Sequence, residues 1–531
     1  MMARRWTIPR NKVSMPNNEL SRSLTMSRPS QRTYQPGFDK ERFQALHSEA
    51  AHLERKEIEL VSQISALSEA LVSVRSTLST TRMRANECAK RISPAARVPD
   101  ETLLAIFKEA VSSQDVRSRT RVESAISRVS HRWRRIALHT PWLWTWVCVT
   151  PDADKRDMQL HLLRSAALPL DVEIWGWWDY RDSFTRPHHF EHTLAAVLPS
   201  ASRWRRIKIG ASCDTLLTSL SFILRTVGPL DALQQVAFKA QQPGQIFPTT
   251  LLMGKSAPNL RSIDVENIVL TARSPCLHNH DFDCFIGVTH LTLRLHEGDA
   301  RTLKTTTELQ GFRALLLRMP SLVSLSLYGE LVCVKSATSL EDQGNITLPR
   351  LQTLILHPNT VRPRYLRNLI AMVNAPGLRH FELVYPDSFT QGQDISDLLL
   401  KKGCEQPIPR FPLVERLVLN NAANITSAAA FIRAFPGVDQ LTISGADVGI
   451  FNLPIWEVTG GSWRTISRLI LRPSQRDRLT TVVDWLNVMT SNGELQAPLV
   501  QGPITDCPTM LHLYEELKRY TQIELLDMDS K

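Results

Sequence analysis

One six-residue pattern of apolar residues recurs along most of the chain and limits its fold more than any other feature. In each copy an apolar residue is followed by two variable residues, a second apolar residue, one variable residue and a third apolar residue. Ten copies occur, beginning at Trp204, Leu233, Leu260, Val288, Leu322, Leu351, Leu378, Val414, Val438 and Ile466. Consecutive copies begin about 29 residues apart, and a fixed period of this length is typical of repeat proteins.

The pattern predicts one strand per repeat, because apolar and variable residues alternate. Helix-like runs lie between the copies, for example at 312–319, 365–373, 427–435 and 480–489. Strand, loop and helix at a fixed period predict an α/β solenoid with parallel strands on its concave side and helices on its convex side. The period resembles that of leucine-rich repeats, although the asparagine that commonly follows their motif is mostly missing. We therefore interpret residues 151–531 as degenerate leucine-rich repeats, the alternative being a periodic chain that is not a true repeat.

The residues that flank the inward apolar ones should face the concave side, because side chains alternate along a strand. Their mixture of charges favours recognition of a protein surface over a polyanion such as a nucleic acid. For most of these residues individually, an ordinary solvated position on a strand is the alternative interpretation. The residues predicted to bind a target protein are Arg206, Lys208, Asp264, Glu266, Arg294, Tyr328, His357, Glu382, Arg416 and Arg468.

Residues 1–38 are predicted to be a disordered basic tail. They contain seven Arg and Lys residues against one acid, Glu19, and they show no apolar period. A mitochondrial presequence is the alternative, but Pro9, Pro16 and Pro29 would break the amphipathic helix that import requires.

A heptad repeat occupies residues 39–93 and predicts a coiled-coil helix. One set of seam residues is Leu46, Leu53, Leu60, Leu67 and Val74, and the other is Ala50, Ile64, Leu71, Leu78, Ala85 and Ile92. Glu57 is the one charged residue on this seam. The pattern fits a homodimer formed through this helix, and it fits equally a helix that packs against the protein's own body.

Two short amphipathic helices are predicted between residues 97 and 140. The first follows Pro99, which suits a helix start, and its apolar residues are Leu103, Leu104, Phe107 and Val111. The second ends before Pro141, and its apolar residues are Ile126, Val129, Trp133, Ile136 and Ala137.

These segments closely resemble the F-box found in large families of fungal proteins. The matching blocks are Val98-Pro99-x-Glu101-x-Leu103-Leu104-x-Ile106-Phe107, then Ser127-Arg128-Val129-x-x-x-Trp133-Arg134-x-Ile136-Ala137, then Thr140-Pro141-x-Leu143-Trp144. The chain departs from the family pattern at Val98, where Leu is usual, and at Ser130, where Cys is common. A heptad helix just upstream is also similar to that fungal subfamily. Residues 94–150 are therefore identified as an F-box-like domain.

The resemblance implies binding of the Skp-family adaptor of a cullin-RING ubiquitin ligase. A three-helix unit of this size buries little apolar surface alone and commonly completes its core against a partner. A helical bundle packed only on the rest of the chain is the alternative. The adaptor-binding residues that the resemblance implies are Pro99, Leu103, Leu104, Ile106, Phe107, Val129 and Trp133. The junction with the repeats is predicted to be sealed by Trp142, Trp144, Trp146, Trp175, Trp177 and Trp178.

The implied function is that of a substrate receptor, which holds a target through the repeats and presents it to the ligase by raising its effective concentration. A protein-interaction scaffold without a ubiquitin-ligase role is the alternative. The chain offers no defensible nucleophile and base. Gly254-Lys255-Ser256 lacks the earlier glycine of a phosphate loop, and the cluster of Cys, His and Asp at 276–284 lacks a second distant ligand pair. We predict a protein that is not an enzyme and that needs no cofactor or metal.

The compartment follows from what the sequence lacks. No window approaches 18 uninterrupted apolar residues, which argues against a membrane span. The start of the chain has no secretory apolar region, and its eight cysteines form no C-x-x-C pair. The net charge of +11 is scattered rather than gathered in a stripe, so no nucleic-acid partner is expected. We predict reduced cysteines and a location in the cytoplasm, the nucleus or both.

Overall fold

The computed structural model divides the chain into two compact units, Met1–Pro99 and Asp100–Lys531. Of the predicted tail, only residues 36–38 lie inside the described part of the chain, and they belong to a helix. The structure describes residues 36–92, 94–112, 122–177, 186–211, 227–240, 245–246, 257–269, 285–295, 307–333, 346–358, 363–384, 399–401, 408–420, 428–444, 451, 466–472, 482–488, 499–503, 512, 515, 518 and 522–526.

The first unit contains one long helix, α1 (Pro36–Ile92), of 57 residues, followed by the short α2 (Pro94–Arg97). Neither Gly nor Pro occurs between residues 38 and 92, so no residue interrupts the helical hydrogen bonds. The helix predicted over 39–93 is therefore present with nearly the expected bounds. Every residue from 40 to 88 is exposed, including the apolar residues of the heptad seam.

The second unit begins with three helices, α3 (Asp100–Ser112), α4 (Val122–Val129) and α5 (His131–Leu138). Two acidic residues in the first turn of α3 favour its positive end. The Oγ atom of Ser130 caps α5 by accepting a hydrogen bond from the backbone N–H of Trp133 at 3.1 Å. A short 3-10 helix (Pro141–Trp144) follows, as Pro141 requires a break in α5.

A parallel sheet of 14 strands forms the framework of the second unit. Each strand pairs with the next one along the chain, and all of these pairings are parallel. The strands are β1 (Trp146–Val149), β2 (Leu170–Ile174), β3 (Trp204–Ala211), β4 (Gln235–Ala240), β5 (Ser262–Glu266), β6 (His290–Arg294), β7 (Ser324–Tyr328), β8 (Thr353–His357), β9 (His380–Val384), β10 (Arg416–Asn420), β11 (Gln440–Ser444), β12 (Arg468–Arg472), β13 (Leu499–Pro503) and β14 (Gln522–Leu526). This order is typical of a solenoid, because each repeat adds one strand beside the previous one.

The ten repeated motifs form strands β3 to β12, which confirms the predicted repetitive α/β architecture. Their apolar residues share one register. Leu325 and Leu327 of β7, for example, pair with Leu354 and Leu356 of β8, and all four side chains are buried. The aligned apolar side chains form one continuous core along the sheet.

Helices cover the apolar face of the sheet and contribute to the same core. They include α6 (Lys155–Arg164), α7 (Arg186–Leu194), a 3-10 helix (Leu198–Arg203), α8 (Leu309–Leu317), α9 (Pro363–Met372), α10 (Ala428–Ala434) and α11 (482–488). Phe312, Ile370, Phe431 and Trp485 from four of these helices are buried in this core. No helix in the described part of the chain is long and apolar enough to cross a membrane.

Backbone hydrogen bonds at the strand entrances repeat from one unit to the next. The carbonyl of Val323 accepts from the N–H groups of Gln352 at 2.8 Å and Thr353 at 3.0 Å. The carbonyl of Gln352 then accepts from Arg379 at 2.9 Å and His380 at 2.8 Å. These paired bonds satisfy the backbone at each turn and fix the register of neighbouring repeats.

The sheet extends beyond the ten motifs at both ends. Strands β1 and β2 precede them and β13 and β14 follow them, and the sequence pattern identified none of these four strands as repeats. Strand β1 lies inside the range 94–150, so the parallel sheet begins before the boundary predicted at residue 150. The remaining strands are two-residue pairs: Gln245–Ile246 with Ile268–Val269, Thr307–Glu308 with Val332–Cys333, Ile346–Thr347 with Val373–Asn374, and Leu400–Lys401 with Ile408–Pro409.

Candidate protein-binding surfaces

The three helices α3 to α5, which we call the helical unit, pack around a small aromatic core. The Phe107 ring meets the Trp133 ring edge to face, with 4.9 Å between their centroids. An ion pair joins the start of α3 to α5, because Nε of Arg132 donates to Oδ1 of Asp100 at 2.8 Å. These contacts hold the two helices in a fixed relation and leave other side chains of α3 on the outside.

The structure places part of the predicted adaptor-binding set in the interior of the helical unit. Leu103 and Phe107 are each 1% exposed, so they belong to the core of the helical unit and not to its surface. Their spacing of four residues places both on the inner face of α3. By contrast, Ile106 is 47% and Val129 is 60% exposed.

The remaining members of the set are not buried. Leu104 and Trp133 are half-buried, and Pro99 is exposed immediately before α3 begins. We use the name apolar surface of the helical unit for the two exposed apolar residues of the predicted set, Ile106 and Val129. Exposed Ile and Val side chains on a small helical unit are typical of a protein contact surface.

Trp144 joins the helical unit to α6 at the junction where the sequence predicted a cluster of tryptophans. Nε1 of Trp144 donates to the Ala137 carbonyl at 2.8 Å, and its ring meets His161 of α6 edge to face at 5.0 Å. The guanidinium of Arg164 lies 4.4 Å from the same ring. Trp144, Trp146 and Trp177 are buried, Trp142 and Trp175 are half-buried, and Trp178 lies outside the described residues.

A cavity of about 910 Å³ adjoins this junction between α4 and α6. Trp144, Trp146 and Trp175 contribute to its lining, together with Arg128 and His161. Burial lowers the pKa of His161, and the positive charge of Arg164 lowers it further. No motif in the sequence identified this cavity, because its walls come from separate elements.

The polar side of the main sheet gathers the predicted target-binding residues. Along β5, β8 and β9, half-exposed residues alternate with buried apolar ones. We call the side formed by the half-exposed residues the open face. The strand register arranges the predicted residues in three rows: Arg206, Arg416 and Arg468; Lys208, Asp264 and Glu382; and Glu266, Arg294, Tyr328 and His357.

Ion pairs between neighbouring strands neutralise much of the open face. Nη1 of Arg294 lies 2.9 Å from Oδ2 of Asp264, and Nζ of Lys208 lies 3.1 Å from Oε1 of Glu173. Lys239 forms a further pair with Glu266. Glu173 and Lys239 were not among the predicted residues, although the alternation of Leu170, Val172 and Ile174 around Glu173 indicates another strand.

An aromatic and charged cluster occupies the centre of the open face. The guanidinium of Arg294 lies 5.2 Å from the Tyr328 ring, which meets the His357 ring edge to face at 4.7 Å. Nε2 of His357 lies 2.7 Å from Oε1 of Glu382. Burial is the main cause of the raised pKa of Tyr328, and the positive charge of Arg294 opposes it.

Beyond β9, a neutral amide replaces a carboxylate as the partner of an arginine on the open face. Nε of Arg416 donates to Oε1 of the neutral Gln440 at 3.1 Å, rather than to a carboxylate. A cavity of about 220 Å³ lies where strands β8 to β11 begin. His380, Arg416 and Gln440 contribute to its lining. Burial lowers the pKa of His380. An arginine bonded to a neutral amide keeps its full charge for a partner.

Two segments with candidate ligand residues lie outside the described part of the chain, namely 254–256 and 276–284. Within the described part, no group of three His, Cys, Asp or Glu side chains could hold a metal ion. The candidate protein-binding surfaces of the second unit are the apolar surface of the helical unit and the open face.

Comparison with known proteins adds little to this geometry. No protein-family model matches the chain, and no curated protein matches it. Among solved structures, the chain is similar to a Bacteroides fragilis protein determined as a structural-genomics target, with a TM-score of 0.33 and 13% sequence identity. The similarity covers 59% of this chain and 70% of that one. A likeness at this level carries no argument about function.

Proposed function

We propose that this chain is a substrate receptor of a cullin-RING ubiquitin ligase, acting in the cytoplasm or the nucleus. In this proposal residues 94–150 are an F-box-like domain that binds a Skp-family adaptor, and the repeats are degenerate leucine-rich repeats that bind a target protein. Neither role requires catalysis by the chain itself, because a receptor acts by holding its target close to the transfer machinery.

The observation that carries the adaptor role is the exposure of Ile106 and Val129 on the helical unit that bears the F-box-like motif. Their neighbours Leu103 and Phe107 are buried, so the helices fold around their own small core and still present apolar side chains outside. Removing those side chains from water against a partner contributes favourable free energy, roughly 25 cal/mol per Å².

The open face supports the target-binding role. It extends over many neighbouring strands and carries both signs of charge, with aromatic residues at its centre. Arginine and tyrosine are enriched at protein interfaces, and here Arg294 stacks on Tyr328. The ion pairs across the strands neutralise the surface, which favours a protein partner over a polyanion.

The adaptor role is tested with the double variant Ile106→Glu and Val129→Glu in the full chain. We expect recovery of the Skp-family adaptor in a pull-down to fall at least tenfold, because a carboxylate without a partner in a buried interface costs on the order of 1 to 3 kcal/mol. Since both residues are exposed, thermal unfolding should remain unchanged.

The matched control is Leu163→Glu on α6, where Leu163 is 76% exposed. It makes the same chemical change outside the helical unit and should leave adaptor recovery intact. Unchanged recovery in the double variant would exclude this surface. If the wild-type chain recovers other partners in the pull-down but no Skp-family adaptor, the protein is a scaffold without a ubiquitin-ligase role.

The target-binding role is tested by affinity purification and mass spectrometry of Arg416→Glu and Arg433→Glu chains. Both arginines are exposed, but Arg416 lies on the open face and Arg433 lies on α10, on the helical side of the sheet. Partners bound by the open face should be lost with Arg416→Glu and kept with Arg433→Glu. Equal partner sets for both variants would contradict the role of the open face.

A further inference from the structure

The apolar seam of α1 is a long exposed surface. Its side chains are 47–69% exposed at Leu46, Leu53, Leu60, Ile64, Leu67, Leu71, Val74 and Leu78. A row of this kind at alternating spacings of three and four residues gains stability by pairing with another helix. At 1.5 Å per residue, the 57 residues of α1 extend about 85 Å.

The heptad positions follow from these spacings. A step of three residues joins an a position to the next d position, and a step of four joins d to the next a. Leu46, Leu53 and Leu60 therefore occupy d positions, and Ala50, Glu57 and Ile64 occupy a positions. Glu49 and Arg84 then occupy g positions, and Glu54 and Arg75 occupy e positions, beside the seam.

A parallel pair of α1 helices would bring like charges together. Residues at a positions face themselves in a parallel pair, so Glu57 would meet Glu57 of the second copy. A g residue also faces the following e residue, so Glu49 would meet Glu54 of the second copy, twice. These contacts oppose parallel pairing.

We propose that α1 pairs with α1 of a second copy of this chain in the antiparallel orientation, with a centre between residues 65 and 66. In this register each a residue faces a d residue. The resulting layers join Phe43 with Cys88, Ala50 with Thr81, Glu57 with Val74, Ile64 with Leu67, Leu71 with Leu60, Leu78 with Leu53 and Ala85 with Leu46.

Charge complementarity selects the antiparallel orientation. In an antiparallel pair, g residues face g residues and e residues face e residues. Glu49 then faces Arg84 of the second copy and Glu54 faces Arg75, and symmetry makes each pair twice. A shift by one heptad replaces these pairs: in one direction Arg42 faces Arg84, and in the other Lys56 faces Arg84 while Glu54 faces Arg82. The second copy is thus the occupant whose charges match the seam.

Cysteine cross-linking in the full chain tests the orientation. The Phe43→Cys variant should form a disulfide between the introduced cysteine and Cys88 of the second copy, identified by peptide mapping after mild oxidation. Wild-type protein should not link Cys88 to Cys88, because those residues lie about 68 Å apart in the proposed pair. The Phe43→Cys, Cys88→Ser variant is the control and should lose the link.

Three outcomes would overturn the proposal. A disulfide between two Cys88 residues would show parallel pairing, and so would a disulfide between two introduced cysteines at position 43. A monomer throughout the micromolar range in sedimentation experiments would exclude the pairing itself.

A charge exchange tests the register. Glu54→Arg replaces both attractive e pairs by repulsive ones, and the dimer dissociation constant should rise about tenfold. Adding Arg75→Glu restores both pairs and should return it to the wild-type value. In a parallel pair Glu54→Arg would instead remove the repulsion with Glu49 and strengthen the dimer. These results are independent of adaptor and target binding.

Discussion

The ammonium group of Lys208 on β3 lies 3.1 Å from Oε1 of Glu173 on β2, and Glu173 is only 3% exposed. The two residues are direct partners in the strand register. Lys208 also lies 5.2 Å from the centre of the Trp175 ring. The negative charge of the buried Glu173 is therefore neutralised by Lys208, whose side chain also contacts the Trp175 ring. Other ion pairs of the sheet are more exposed.

Lys208→Met should destabilise the protein by about 3 kcal/mol, because it leaves the buried carboxylate of Glu173 without its cation. The matched variant is Arg379→Met. The pair between Arg379 and Glu415 has the same 3.1 Å separation, but both side chains are more than half exposed. Its loss should cost less than about 1 kcal/mol. Denaturant unfolding measures both, and equal effects would contradict the role assigned to burial.

Leu354→Asp should melt neighbouring repeats, because an unpaired carboxylate in the core costs several kcal/mol. Leu354 is 1% exposed and stacks between Leu325 and Phe381 of the adjacent strands. Thr353→Asp, one residue earlier on the open face, should lower the thermal midpoint much less. If the two variants melted alike, the assignment of the two faces of β8 would be wrong.

Phe107→Ala should unfold the helical unit, because Phe107 belongs to its core and not to its binding surface. Removing a buried phenylalanine costs about 3 to 5 kcal/mol, and here the Trp133 ring would also lose its aromatic contact. Ile106→Ala at an exposed position should cost less than about 0.5 kcal/mol. Circular dichroism and Trp fluorescence during unfolding compare the two; similar losses would place Ile106 in the core.

Acid should destabilise the fold through His161 and His380. Burial lowers the pKa of both imidazoles below their ordinary value of 6.5. As the pH falls below 6.5, the unfolded chain takes up protons that the folded chain does not, so stability falls until the lowered folded pKa is reached.

The variant His161→Gln retains an N–H donor for the Trp146 carbonyl and should reduce the loss of folding stability between pH 7.5 and 5.5. His139 is exposed, so the control variant His139→Gln should leave that loss of stability unchanged. If denaturant unfolding showed the same loss of stability in His161→Gln as in the wild type, His161 would not be its cause.

Cys148 should resist alkylation while the protein is folded. Burial, reinforced by the negative charge of Glu173, raises the pKa of Cys148 to about 12, so little thiolate exists at pH 8. Iodoacetamide should label Cys148 roughly a hundredfold more slowly in the folded protein than in denaturant, where the thiol has its ordinary pKa. Comparable rates in the two states would show that Cys148 is accessible.

The repeat period placed ten strands correctly, because the last two apolar residues of each motif are two positions apart and a strand buries both on one side. Sequence alone also located α1, since a heptad without Gly or Pro has one favourable local conformation. The ten motifs did not include β1 and β2, although Leu170, Val172 and Ile174 of β2 alternate as strand residues do. Their place at the start of the sheet is decided by parallel pairing with β3.

The chemistry of each surface residue was determined by the sequence, and so was the side of the strand on which it lies. Local periodicity decides both, since a strand alternates every two residues and a helix turns every 3.6. Which charges neutralise one another was decided by the tertiary structure. Glu173 and Lys208 are 35 positions apart and meet only through strand register. The structure likewise turned Leu103 and Phe107 inward and Ile106 outward, because packing against Trp133 selects the inner face of α3.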